Sequence, residues 1–169
     1  FERDLSESGP MANLVLQAAG LARSVDGAAL LSKYGPEMVK LVPSLILEAG
    51  ATPTPPLENA DAERRRMIDA VAEFLVGLGR VTPYVAYLND LQWAREGTTD
   101  LIAAILRLRS EAGSGSGLCL LGSFRSDDVG DRPLARLLAG GSRASVKLVE
   151  LTPLEDLYVA ELLKSMLGL

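Results

Sequence analysis

Histidine is absent from the chain. That absence removes the usual general base of serine and cysteine hydrolases and the commonest zinc ligand, so Ser–His–Asp and Cys–His mechanisms are excluded. Cysteine occurs once, as Cys119 in the apolar run LCLLG. No intramolecular disulfide can form, and a buried, reduced thiol is expected, which suits a cytoplasmic setting. No apolar stretch approaches the ~20 residues of a membrane-spanning helix, and no signal-peptide pattern opens the chain. Excess positive charge is missing too. The formal net charge is −5 and the basic residues are scattered, which argues against a nucleic-acid or anionic-membrane partner.

What is present suits a core-forming domain. With 169 residues, 48% hydrophobic and 23% charged, the chain fits one soluble globular unit. It opens at Phe1 rather than methionine and closes on a leucine-rich stretch, so a piece of something longer is expected.

Helical spacing begins after Pro10, with Met11, Leu14, Val15, Ala18 and Leu21 on one stripe. Two shorter helices are expected over Gly27–Lys33 and Pro36–Leu41, before the proline-rich surface connection ATPTPPLENA. The pattern predicts a strong helix from Asp61 to about Leu78, ended by Gly79. Val81–Leu88 then changes character, being rich in β-branched and aromatic residues with almost no charge, the composition of a strand buried on both faces. A helix over about Thr99–Arg109, the flexible GSGSG and a second strand over Leu118–Phe124 complete a parallel strand–helix–strand unit. Both strands end on the edge where open α/β sheets bind ligands. Downstream, a short helix is expected between Asp131 and Gly140–Gly141, then a third strand over Val146–Leu151. Thr152, Pro153 and Glu155 read as a capping box opening a last helix that buries Val159, Leu162, Leu163 and Met166.

The first strand delivers Asn89 and Asp90 to the ligand-binding edge. Phosphoryl-transfer sites place a carboxylate there to hold Mg²⁺, a neighbouring acid to orient water, and a cation to sense the terminal phosphate. Arg125, just past the second strand, is the candidate cation. The plainer alternative is that Asn89 and Asp90 cap a turn while Arg125 pairs with Asp127 or Asp128 at the surface. A histidine-free metal enzyme on Asp90, Asp127 and Asp128 is a third reading.

Leu88–Ala94, LNDLQWA, resembles the Walker B segment of the AAA-like signal-transduction ATPases, the STAND class of large LuxR-type regulators and bacterial Ser/Thr kinase or cyclase fusions. There an apolar strand runs into Asp-Asp-Leu-Gln-Trp-Ala-Asp. Leu120–Val129, LLGSFRSDDV, resembles the family's sensor-1 strand, and PLARLL and LTPLEDLYVAELL continue the likeness. The resemblance implies a helix-rich, three-layer α/β fold with a short parallel sheet of P-loop NTPase type. It divides the single domain into a helical, insert-like region and linker at 1–60 and a Walker B/sensor-1 core at 61–169.

Carried over residue by residue, the resemblance puts the metal-binding position on Asn89, the second, catalytic acid on Asp90 and the sensor arginine on Arg125. It implies ATP and Mg²⁺ as cofactors of the complete domain, held by Asn89, Asp90 and Arg125. Asn89 departs from the pattern, because an amide oxygen is a poorer Mg²⁺ ligand than a carboxylate. Arg95, where the motif closes on Asp, departs again. Trp93 is expected to pack on the next helix. No G-x-x-x-x-G-K-S/T occurs anywhere in the chain, so the loop whose amides and lysine hold phosphates is missing from it. In the family that loop follows a strand inserted beside the sensor strand. The expected partner is therefore an upstream P-loop segment or a second chain that supplies the strand, with homo-oligomerisation as one route. The expected role is a nucleotide-responsive regulatory module that does not hydrolyse ATP alone, or else a degenerate interaction module between domains.

Overall fold

The computed structural model describes residues 10–46, 50–111, 115–130, 132–140 and 146–168. Helix α1 spans Pro10–Ser24 and α2 spans Ala28–Met38, with Pro36 inside its last turn. One helix therefore replaces the expected pair. A Pro near a helix C-terminus costs less than one in the middle, since the turns around it are completed by neighbouring carbonyls.

Helix α3, Ala60–Val81, begins on Asn59, whose side chain accepts from the amides of Asp61 and Ala62 at 2.9 and 3.1 Å. That is a standard N-cap geometry. The helix runs through Gly79 instead of stopping there. Gly79 is needed for close approach: a Cβ would lie 2.5 Å from Ser116 Oγ and 2.7 Å from Leu118 N. The proline stretch is pinned to α3 by ions. Lys40 bonds Glu37 at 2.9 Å and Glu63 at 2.6 Å, Arg66 bonds Glu63 at 2.7 Å, and the Leu57 amide donates to Glu63 at 3.0 Å. The Lys40 hydrogen bond, with the Leu57 amide behind it, pulls the Glu63 carboxyl down to about 2.

Strand β1 is Tyr84–Leu88, α4 is Glu96–Glu111 and β2 is Leu118–Gly122. The two strands pair in parallel from Tyr84 opposite Leu118 to Leu88 opposite Gly122. Ala86, Leu88 and Leu118 face a core built by α1 to α4, centred on Phe74, Leu75, Leu78, Leu101 and Ile105. The Tyr84 hydroxyl reaches Leu75 O at 2.8 Å, and burial pushes its pKa up. A smaller cluster of Leu88, Leu91, Ile102, Val129 and Leu134 continues the core toward α5, Pro133–Gly140.

Several expectations are corrected here. Among the described residues the sheet has two strands with helices on one face, so a second helical layer is missing from the expected three. Val85 and Tyr87 are 62% and 57% exposed on the other face, beside Leu121, and Cys119 there is exposed and free rather than buried. Residues 146–151 form no strand, because among the described residues no neighbouring strand offers them a ladder. The last helix, α6 at Asp156–Leu167, begins on Glu155 without a side-chain cap bond, and every described residue from 146 to 168 is exposed. Among the described residues nothing buries its apolar stripe, so Val159, Leu162, Leu163 and Met166 are exposed and not core. Among the described residues no helix is long and apolar enough to cross a membrane.

Candidate functional site

The chain leaves β1 through a sharp backbone turn. Asp90 adopts φ 57° and ψ 42°, a left-handed conformation that Asp tolerates better than most side chains. The turn feeds a short 3₁₀ segment, Leu91–Trp93, tied to the end of β2 by Leu91 N to Ser123 O at 2.9 Å and Ser123 N to Leu88 O at 3.0 Å. Asn89, Asp90 and Ser123 thereby come together at the C-terminal edge of the sheet.

Their side chains form one network. Asn89 Oδ1 accepts from the Tyr87 hydroxyl at 2.9 Å and from the Ser123 hydroxyl, while Asn89 Nδ2 donates to Asp90 Oδ2 at 2.9 Å. Gln92 Nε2 donates to Asp90 Oδ1 at 3.0 Å, and Gln92 Oε1 accepts from the Arg125 amide at 3.2 Å. Gln92 is 1% exposed, so this amide fixes the distance between the Asp90 loop and the segment after β2. Behind it, Arg132 donates to Gln92 O at 2.9 Å and lies 4.2 Å from the centre of the Trp93 ring. Trp93 is thus 62% exposed under a guanidinium and does not pack on the next helix as expected.

Asn89 and Asp90 line a cleft of about 690 Å³ between α1 and β1, together with Leu14, Leu21, Val85, Tyr87, Trp93, Arg95 and Thr98. Arg125 is exposed and is not among the lining residues. Its backbone joins the network; its side chain makes no ion pair with Asp127 or Asp128 among the described residues, so the surface-pair alternative is not what forms. No group of three acids or cysteines that could hold a metal exists among the described residues, and Asp127 and Asp128 do not join Asp90. The described residues thus do not bring together the carboxylate cluster that the third reading needs.

The donor set can be tested against Mg²⁺. Asn89 Oδ1 lies within hydrogen-bond reach of the Tyr87 and Ser123 hydroxyls, and the Tyr87 hydroxyl also reaches Ser123 Oγ at 3.2 Å. A cation there would have to displace one of them. Asp90 keeps a full carboxylate, each oxygen holding one amide donor and retaining acceptor capacity. Asn89 offers Mg²⁺ only a neutral oxygen that two hydroxyls contest, whereas Asp90 fits the one-carboxylate-plus-phosphate pattern common for Mg²⁺.

Gln92 and Ser123 escaped the sequence reading as site residues. Both stood inside the quoted segments, LNDLQWA and LLGSFRSDDV, yet only the fold shows that one bridges the two loops and the other anchors Asn89.

No curated protein and no solved structure matches the chain. A family model described as an AAA ATPase domain matches residues 4–121. The match includes α1, the β1 edge with Asn89, Asp90 and Gln92, and nearly all of β2; Ser123 and Arg125 lie just beyond it. By that match over most of its length, the chain belongs to the AAA ATPase domain family.

Proposed function

We propose that this chain is the nucleotide-responsive regulatory module of a multidomain bacterial signalling protein of the STAND type, and that it does not hydrolyse ATP by itself. The observation that carries the reading is the network at the sheet edge, where Asp90 is held by Asn89 and Gln92 in a family whose members are ATPase domains. Asp90 takes the acid's role toward a Mg-nucleotide, and Arg125, whose backbone amide is bonded to Gln92, supplies the cation for the terminal phosphate. Asn89 positions Asp90 in place of ligating metal. The loss of one unit charge beside metal and phosphates weakens binding and slows hydrolysis. The phosphate-binding loop comes from another segment or a second chain, and the open edge of β2 is where its strand pairs.

Titration of the 169-residue chain with Mg-ATP and Mg-GTP, read by calorimetry and by phosphate release, tests this. The expected outcome is weak binding, reduced at least tenfold by Asp90→Ala, with no turnover. Absence of binding at millimolar nucleotide would refute the reading for this chain. That result would favour the second reading, an interaction module, which the neutral amide of Asn89 at this position supports.

A further inference from the structure

Gln92 has a polar side chain and is nevertheless buried, in a short segment whose Asp90 and Trp93 are both exposed. Its amide is used at both ends. Nε2 donates to Asp90 Oδ1 at 3.0 Å, and Oε1 accepts from the Arg125 amide at 3.2 Å. An ionised carboxylate only accepts and a backbone N–H only donates, so one orientation of the Gln92 amide satisfies both partners and the reverse satisfies neither. A buried amide has no solvent to repair such a mismatch.

The backbone beneath this amide is held from the other side. Arg132 donates to Gln92 O at 2.9 Å and lies 4.2 Å from the centre of the Trp93 ring, while Trp93 N donates to Asp90 O at 3.0 Å. Arg132 is in turn built into the start of α5, where Ala135 N donates to Arg132 O at 2.9 Å. What is left to change is the torsion of the terminal amide, whose two orientations differ by half a turn. The half-turn acts at both ends together, because the amide is rigid and its ends are opposite in polarity.

We propose that Gln92 is a positioning residue whose amide couples what Asp90 binds to the seating of Arg125. When Asp90 Oδ1 takes a cation, the NH₂ end of Gln92 is repelled and its carbonyl end is attracted, which favours the half-turn. The acceptor is then withdrawn from the Arg125 N–H. The coupling rests on the nucleotide reading for the identity of its ligand alone. Under that reading the amide turns when Asp90 holds a Mg-nucleotide, and the Arg125 segment is freed from Gln92 toward the phosphate.

The first test needs no ligand. In isotope-labelled chain, the resonance and the hydrogen exchange of the Arg125 amide read its bond to Gln92 directly. Gln92→Met, similar in length and apolar, is expected to speed that exchange at least tenfold. Asp90→Asn is expected to shift the Arg125 resonance in the wild-type chain and to leave it in place in the Gln92→Met chain, since the path between them is then cut. Gln92→Glu keeps an acceptor for Arg125 but sets a second carboxylate against Asp90, so the Arg125 resonance is expected to move. Adding Asp90→Asn to Gln92→Glu swaps donor and acceptor, and is expected to bring Arg125 exchange back to within threefold of wild type. A response to Asp90→Asn that is equal with and without the Gln92 amide, or a swap that restores nothing, overturns the proposal. Asp90 is exposed, so Asp90→Asn keeps the fold. An Arg125 resonance that ignores it overturns the proposal even if Gln92→Met does not fold. Mg-ATP supplies the second test, in which heat of binding is expected to come with a shift at Arg125. Heat without that shift overturns the coupling. No heat refutes the nucleotide reading alone, and the ligand-free variants then decide the coupling.

Discussion

Asp90 is the only described non-glycine residue with positive φ, and its backbone can be separated from its carboxylate by two substitutions. Asp90→Ala and Asp90→Gly remove the same hydrogen bonds to Asn89 and Gln92, so the difference between them isolates the turn. A Cβ in the left-handed region costs roughly 1–2 kcal/mol. Against that, glycine loses roughly 0.4–1 kcal/mol through the greater freedom of its unfolded chain. The net expectation is that Asp90→Gly is more stable than Asp90→Ala by about 0.5–1 kcal/mol. Thermal unfolding reads this as a Tm difference of about 1–4 °C for a chain of this size. Asp90→Asn, which tolerates the left-handed region, is expected to stay nearest to wild type. If Asp90→Ala matches or exceeds Asp90→Gly, the turn is not strained and the loop is not held as described.

The glycines give a contrasting pair. Gly79→Ala is expected to cost about 1–3 kcal/mol through overpacking against Ser116 and Leu118, although alanine is the better helix former. Gly20→Ala, whose nearest neighbour would be Arg23 Nη2 at 4.0 Å, is expected to stabilise by roughly 0.5–1 kcal/mol in urea unfolding. Thr98 is 2% exposed and its hydroxyl has no partner among the described residues, so Thr98→Val is expected to raise stability by about 1 kcal/mol; a loss would show that the hydroxyl is satisfied. Glu63 is depressed from 4.5 to about 2, so its contribution is complete above the unfolded value and fades as pH falls from about 4.5 toward 2. Glu63→Gln should flatten that stretch of the stability profile measured by urea unfolding, and an unchanged profile would count against the Lys40 contact.

Periodicity made α1, α3, α4 and β1 legible within a few residues, because each buries a regular stripe in one core. The misreadings share a cause. Gly79 reads as a helix stop, and only the approach of Ser116 and Leu118 reveals that it is a contact. Residues 146–151 have a strand's composition, but pairing needs a neighbour that local sequence does not report. Cys119 lies in an apolar run and is nevertheless exposed, since alternation decides which face it takes and packing decides whether that face is covered. At the site, Asn89 and Asp90 were legible from the strand's end, whereas Gln92 and Ser123 act across chain separations that no local pattern encodes.

The strands themselves have the composition of a sheet covered on both faces. A sheet meant to show one face to water alternates apolar and polar residues, yet YVAYL and LCLLG are apolar on both faces. They have the composition of strands buried from both sides. The packing requirement of a third layer is therefore intact in this chain.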